Sequence, residues 1–305
     1  MIVKSVLITG ALGNLGWKAT AALAEDSRFP HVIACDLLDP SEAQAGCFES
    51  WSGVEFVRCD LGRWHDMRWR RRMLDVDGVI HFAAQNPFPE ASWQDVAVSM
   101  DLTEHLVSSM LASYQRQRLV YISSNHVMGG YKDSLFGPKE AAGRLTTDLE
   151  PAVGTTWFSG VKTIDSTGYA TVKLAGERTS RVAALATSGR VTSVNVRIGW
   201  CQPGENHPRT LSAAGSITIE GDHSRDRDEA LIETDRWFQE MWLSNQDFAQ
   251  LMIRSLLAPS EQWPEPFITV NGMSNNRGMV WSLEEGKRGL GYDPVDDVYQ
   301  FLPGR

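Results

Sequence analysis

A doubly wound α/β sheet is the fold that this 305-residue chain predicts, and three observations predict it. Short apolar runs alternate with amphipathic stretches from Val3 to Ser123. A glycine-rich turn follows the first run directly, and an aspartate closes the second. Strands that are apolar throughout and separated by helices need a parallel sheet covered on both faces.

Val3 to Thr9 is a continuous β-type run, and Gly13 to Ala24 reads as a helix. His31 to Asp36 is the second strand, and Val54 to Cys59 is the third, closed by Asp60. Asp66 to Leu74 is helical, Gly78 to Phe82 is a fourth strand, Ser92 to Tyr114 a long helix and Leu119 to Ser123 a fifth strand. From Gly129 to Gly168 the alternation stops, and a stretch that long with no structure of its own is expected to form a lid or a binding wall. Helix resumes at Tyr169 to Ala186, followed by a strand from Val191 to Arg197. A last helix pair and a strand from Phe267 to Val270 precede the tail. Residues 1–199 are therefore expected to hold the sheet and a cofactor. Residues 200–305 are expected mainly to enclose a substrate, with segments around 240–272 returning to the sheet domain.

An apolar fraction of 42% is a globular value, enough to bury a core. Twenty-nine Lys and Arg stand against 38 Asp and Glu, a net charge of −9, which gives no bulk attraction to nucleic acid or an anionic membrane. The basic run Arg68-Trp69-Arg70-Arg71-Arg72 fits the wet face of a helix. Cys35, Cys47, Cys59 and Cys201 are too scattered for a zinc site or a disulfide framework, so no metal is expected. Met1 to Gly10 reads as a buried strand rather than a leader, and no apolar run approaches the roughly 18 residues that span a bilayer. The expectation is a soluble, cytoplasmic protein.

Gly10, Gly13 and Gly16 punctuate the turn Gly10-Ala11-Leu12-Gly13-Asn14-Leu15-Gly16 between strand and helix. Glycine is needed for the tight turn, for backbone approach to a pyrophosphate and for helix–strand packing, while the helix N-terminus supplies free amides. Asp36 at the end of the second strand would accept from both adenosine ribose hydroxyls and repel a 2′-phosphate. Leu37 and Leu38 follow with no Arg, so NAD is favoured over NADP. Asp60 is placed to meet the adenine amino group.

Tyr169 and Lys173 stand four residues apart on one helix face. A nearby ammonium, with the positive nicotinamide ring, favours the phenolate. Ser124 ends the fifth strand at the carboxyl edge, where ligands bind in open α/β sheets.

These features together resemble the extended short-chain dehydrogenase/reductases, the NAD-dependent epimerase/dehydratase family. The motifs are Gly10 to Gly16, Asp36, Asp60-Leu61, His81-Phe82-Ala83-Ala84, Ser123-Ser124, Tyr169 with Lys173, and Val196-Arg197-Ile198-Gly199. The resemblance implies a Rossmann-type sheet with a small C-terminal substrate region and a Ser124, Tyr169, Lys173 catalytic triad. It also implies NAD contacts from Leu12, Asn14, Leu15, Leu37, Leu61, Phe82, Ala83, Ala84, Ile122 and Ile198. It further implies a homodimer built on the helices at Ser92 to Tyr114 and Tyr169 to Ala186.

Within the family, several segments resemble uronate dehydrogenases, which oxidise the anomeric carbon of hexuronic acids with NAD. They are Ser124-Asn125-His126, Cys201 to Asn206, Arg209, Trp242-Leu243-Ser244, Ser274 to Arg277 and Leu290-Gly291-Tyr292. On that resemblance Arg209 clamps a substrate carboxylate, or else is a solvated loop charge. Gln85, Asn86, Asn125, His126 and Gly199 line the sugar site, with a backbone carbonyl as the alternative partner of His126. The chain departs from those enzymes at Trp200, where they carry a small hydroxyl residue, and in insertions at 129–168 and 212–235.

The expected activity is therefore oxidation of a sugar acid or related polyhydroxy small molecule by hydride transfer to NAD, with Tyr169 as base. A nucleotide-sugar epimerase or dehydratase with tightly held NAD uses the same triad, and Arg225, Arg227, Arg236 and Arg277 could serve its pyrophosphate. A non-catalytic NAD-binding regulator typically loses the tyrosine or the lysine, and both are present.

Overall fold

The computed structural model describes residues 2–132, 142–159, 162–211 and 229–302. Seven parallel strands form one sheet, in the spatial order Val54–Arg58, His31–Asp36, Ser5–Thr9, Gly78–His81, Gln117–Ser124, Val191–Ile198 and Phe267–Gly272. They are β1 (Ser5–Thr9), β2 (His31–Asp36), β3 (Val54–Arg58), β4 (Gly78–His81), β5 (Gln117–Ser124), β8 (Val191–Ile198) and β9 (Phe267–Gly272). The crossovers carry α1 (Asn14–Ala24), α2 (Glu42–Ser50), α3 (Met67–Met73), α4 (Trp93–Ala112) and α5 (Thr167–Ala186). After β8 come α6 (Glu229–Glu240), α7 (Asn245–Leu257) and, past β9, α8 (Glu284–Leu290).

Side chains alternate across each strand, so β1 sends Val6 and Ile8 into one core and Leu7 into the other. The first core packs α1 and α7 residues such as Leu23, Phe248 and Leu251 on the sheet; the second packs Trp69, Leu106 and Met110 of α3 and α4. Winding reverses at β1, which lies between β2 and β4. The carboxyl ends of β1 and β4 thus border the crevice where open α/β sheets take ligands.

Two sequence expectations are corrected. The stretch from Gly129 to Gly168 is not without structure: β6 (Thr156–Phe158) and β7 (Thr163–Asp165) pair as an antiparallel hairpin that leads into α5. Three-residue strands are too short to show a period in sequence. α5 begins at Thr167, two residues before Tyr169. Helix α2 has no sequence expectation to match: it buries no residue and so has no apolar stripe, and its one local signal is the capping box of Ser41 and Gln44 at its start.

Candidate active site

The turn after β1 takes its shape from close backbone contacts. Gly10 has a φ of 68°, and a Cβ there would lie 2.9 Å from the Ala83 nitrogen. A Cβ on Gly16 would stand 2.0 Å from the Gly10 carbonyl oxygen. Gly13 differs, since a Cβ there would meet the Gly10 oxygen at 3.4 Å and nothing else within 4 Å. Gly13 is exposed and is the N-cap of α1, where the first amides of a helix have no partner within the helix and suit an anion.

Asp36 is held by two backbone amides, accepting from Leu12 at 2.9 Å and from Leu38 at 3.1 Å. An ionised carboxylate has further lone pairs for ribose hydroxyls. Leu37 is exposed beside it, and Arg58, on the neighbouring strand, donates to the Leu37 carbonyl and pairs with Asp39 at 3.0 Å. Asp60 accepts from the Gly62 amide and pairs with Arg63, while Leu61 is buried behind it. Phe82 and Ala83 donate back to Thr9, which lays Phe82, Ala83 and Ala84 along the end of β1. Ile122 and Ile198 lie on the adjacent strands β5 and β8.

Ser124, the last residue of β5, is buried beside Tyr169 from the first turn of α5, and its hydroxyl accepts from the His126 amide at 3.2 Å. Lys173, one turn on, is buried between the rings of Tyr121 and Tyr169 and donates to the Ile122 carbonyl at 2.9 Å. Burial lowers the Lys173 ammonium to about 8. Burial also raises the Tyr169 phenol above its usual value, with the Ser124 hydroxyl opposing. The lowering of the phenol expected from the lysine is therefore not a property of the chain alone. Desolvation sets the direction, and the ammonium, 5.8 Å from the ring centroid and engaged on a carbonyl, does not offset it.

Beneath these groups His81 bonds Thr9 at 2.8 Å and Thr103 at 3.2 Å, and Thr103 donates to the Ser99 carbonyl at 3.1 Å. Burial holds His81 neutral, at about 3.

The remaining sequence-derived residues divide into two groups. Asn125 and His126 are buried next to Ser124: Asn125 donates to the Ile198 carbonyl, and its Oδ1 has no partner among the described residues. His126 packs edge-on against Tyr169, with ring centroids 5.9 Å apart. Gly199 is pinned by the Gly272 carbonyl, and Trp200 packs on Phe238, which touches His126, so Trp200 joins the site through a chain of rings. Gln85 and Asn86 lie on the exposed rim, with Gln85 bonded through its backbone to Ser99 and Asn86 to Asp95. Arg209 is exposed and donates to the Phe301 carbonyl at 3.0 Å, so the structure ties it to the C-terminal segment and not to the triad.

Sequence reasoning missed Thr155, Trp157, Ser166 and Phe238, all of which touch His126. It also missed Lys18, whose ammonium joins α1 to the Gln202 and Gly204 carbonyls and to Asn245. No spacing signal marks any of them. Among the described residues no group of three or more His, Cys, Asp or Glu could hold a metal ion, and no helix is long and apolar enough to cross a membrane.

The fold and site define an NAD-dependent enzyme with a dinucleotide crevice beside a Ser-Tyr-Lys cluster. Residues 6–199 match the NAD dependent epimerase/dehydratase family, and the chain belongs to it. The chain is 28% identical over 293 residues to the L-arabinose 1-dehydrogenase (NAD(P)(+)) of Haloferax volcanii, covering 96% of each chain. It is 26% identical over 238 residues to the NAD-dependent glucose-6-phosphate dehydrogenase of the same organism, covering 76% of this chain and 73% of that one. Its fold is similar to that of UDP-glucuronic acid 4-epimerase from Bacillus cereus in complex with UDP-glucuronic acid and NAD. The TM-score there is 0.64 at 17% identity, over 97% and 96% of the two chains.

Proposed function

We propose that this protein is a dehydrogenase that oxidises a small free sugar, an aldose or its uronic acid, at the anomeric carbon. One observation supports a free sugar over a nucleotide sugar. The C-terminal cations weighed for a pyrophosphate are already paired, Arg236 with Glu240 at 2.8 Å and Arg277 with Asp297 at 2.6 Å. Arg225 and Arg227 lie outside the described residues. Each pair partly neutralises the charge that a dianionic diphosphate would need, whereas a free sugar needs hydrogen bonds alone. The near full-length similarity to an arabinose dehydrogenase supports the same reading.

In this reading Ser124 donates to the reacting oxygen and aligns it with Tyr169. The Tyr169 oxygen takes the hydroxyl proton as the carbonyl forms. Bound NAD would supply the acceptor for the hydride that leaves the same carbon. Lys173 holds the phenolate and the nicotinamide ribose in place, and its ammonium gains most once the phenol ionises. Arg209 is the residue proposed for a substrate carboxylate. A second copy of the chain is proposed to cover the exposed Trp93, Met100, Val182 and Leu185 of α4 and α5.

NADH formation with aldoses, uronates and nucleotide sugars tests the reading, with Tyr169→Phe as the control. Turnover of a free sugar, lost in the variant, supports it. Turnover or epimerisation of nucleotide sugars alone overturns it. Arg209→Ala should raise KM for a uronate about 10- to 100-fold, the worth of a charge-assisted pair, and leave a neutral aldose unaffected.

A further inference from the structure

His126 follows the catalytic strand, yet its ring is held by the inserted hairpin segment and not by the sheet. Its Nδ1 lies 2.9 Å from the Thr155 hydroxyl and 2.9 Å from the Ser166 hydroxyl, residues that flank the β6–β7 hairpin. Trp157, on β6, stacks on the ring at 5.8 Å and 21°. The knot is closed by backbone: the Thr155 amide donates to Ser166 Oγ, and the Gly154 amide donates to the His126 carbonyl.

Ser166 breaks a local rule here. It is the N-cap of α5, where serine ordinarily accepts from an amide of the first turn. Its hydroxyl makes no such bond, and its backbone, at φ −96° and ψ 13°, is not in the extended capping conformation. Asp165 does the capping instead, accepting from the Thr167 amide at 2.9 Å. A residue placed at a cap but bonded elsewhere points to a role elsewhere.

Counting hydrogens assigns the tautomer. Thr155 is buried, and among the described residues His126 Nδ1 is the partner of its hydroxyl. If Nδ1 carried the proton, the Thr155 hydroxyl hydrogen would be buried without an acceptor. If Nδ1 is bare, it accepts that hydrogen, and Ser166 keeps the Thr155 carbonyl as its alternative acceptor at 3.2 Å. The proton therefore sits on Nε2, which has no hydrogen-bond partner among the described residues. The rings around it are those of Trp157, Tyr169 and Phe238. Tyr169 is the titratable group among these, no charged side chain among the described residues shifts the imidazole, and burial lowers it to about 4.

We propose that Thr155 and Ser166 are positioning residues that fix His126 as a neutral Nε2–H donor beside Tyr169, so that the site selects a substrate with an oxygen acceptor there. The identity of that substrate rests on the sugar-dehydrogenase reading; the tautomer does not.

Long-range 1H–15N spectra of the 15N-labelled protein test the tautomer without any substrate. His126 should show a protonated Nε2 and a bare Nδ1 between about pH 5 and 7.5. A mixed or Nδ1-protonated ring would overturn the proposal. With the sugar that the wild type oxidises, Thr155→Val/Ser166→Ala should raise the sugar KM about fivefold, the worth of one neutral hydrogen bond. That loss should not deepen at low pH, because burial and not the two hydroxyls keeps the ring neutral, and a protonated ring would carry a hydrogen on Nε2 again. His126→Gln, which keeps a donor near Nε2, should stay within about twofold of wild type, and His126→Leu should not. Equal losses for sugar and NAD, or a lowered Tm with an unchanged sugar KM profile, would make the knot merely structural and refute the proposal. Absence of NADH formation with every free sugar would instead sink the functional reading, and the spectra would still decide the tautomer.

Discussion

Glu177→Gln would remove the charge that joins α5 to the sheet. Tyr169, Lys173 and Glu177 lie at i, i+4 and i+8 on one face of the helix. The Glu177 carboxylate accepts from Arg197 Nε at 3.0 Å, from Arg197 Nη2 at 2.9 Å and from the Ser123 hydroxyl at 2.5 Å. The side chains of Arg197 and Glu177 are 4% and 6% exposed, so water cannot replace a lost partner. Arg197 Nη1 already has no partner among the described residues. Neutralising Glu177 would leave a buried guanidinium without its counter-charge, a loss of about 3–5 kcal/mol. With a urea slope of about 3 kcal/mol per molar, the unfolding midpoint should fall by about 1–1.7 M. Turnover should fall with it, because α5 carries both Tyr169 and Lys173. The paired change Glu177→Gln/Arg197→Met should recover most of the stability, since it leaves no buried charge. A single-variant loss under about 1 kcal/mol, or a double variant no better than the single, would refute the claim that this pair clamps the helix.

The two inner glycines of the first turn should separate fold from binding. Gly16→Ala drives a Cβ into the Gly10 carbonyl and should lower Tm, whereas Gly13→Ala should fold normally and bind NAD at least about tenfold more weakly by calorimetry. Lys173→Met should abolish turnover yet raise the stability of the NAD-free protein at pH 7. The folded ammonium sits at about 8 against an unfolded value of about 10.4, a penalty of about 3 kcal/mol that fades as pH rises between those values. A lower Tm for that variant would contradict the burial argument. His81 and His126 are held neutral at about 3 and about 4, so the unfolded chain binds protons that the folded chain does not. Stability should fall as pH drops below about 6.5, and His81→Gln should remove about 1.4 kcal/mol per pH unit from that slope in urea titrations.

The sheet half of the molecule was legible because its information is local. Apolar runs such as Val6-Leu7-Ile8 state that both faces of a strand are covered, and β2 falls on the residues read from sequence. The glycine turn and Asp36 were legible for the same reason, since a positive φ at Gly10 and a carboxylate at a strand end are demands on single positions. Tyr169 and Lys173 share a face by helical period alone. The surroundings of the cluster were not legible. Thr155 and Ser166 reach His126 across 29 and 40 residues, and no period links them. That Arg209 bonds Phe301, 92 residues away, and that burial sets the direction at Tyr169 were also decided by packing. Sequence patterns record which faces are buried and where the backbone must turn. Which hydroxyl meets which ring, and how far water is excluded from a charge, depends on the distances that the packed chain alone sets.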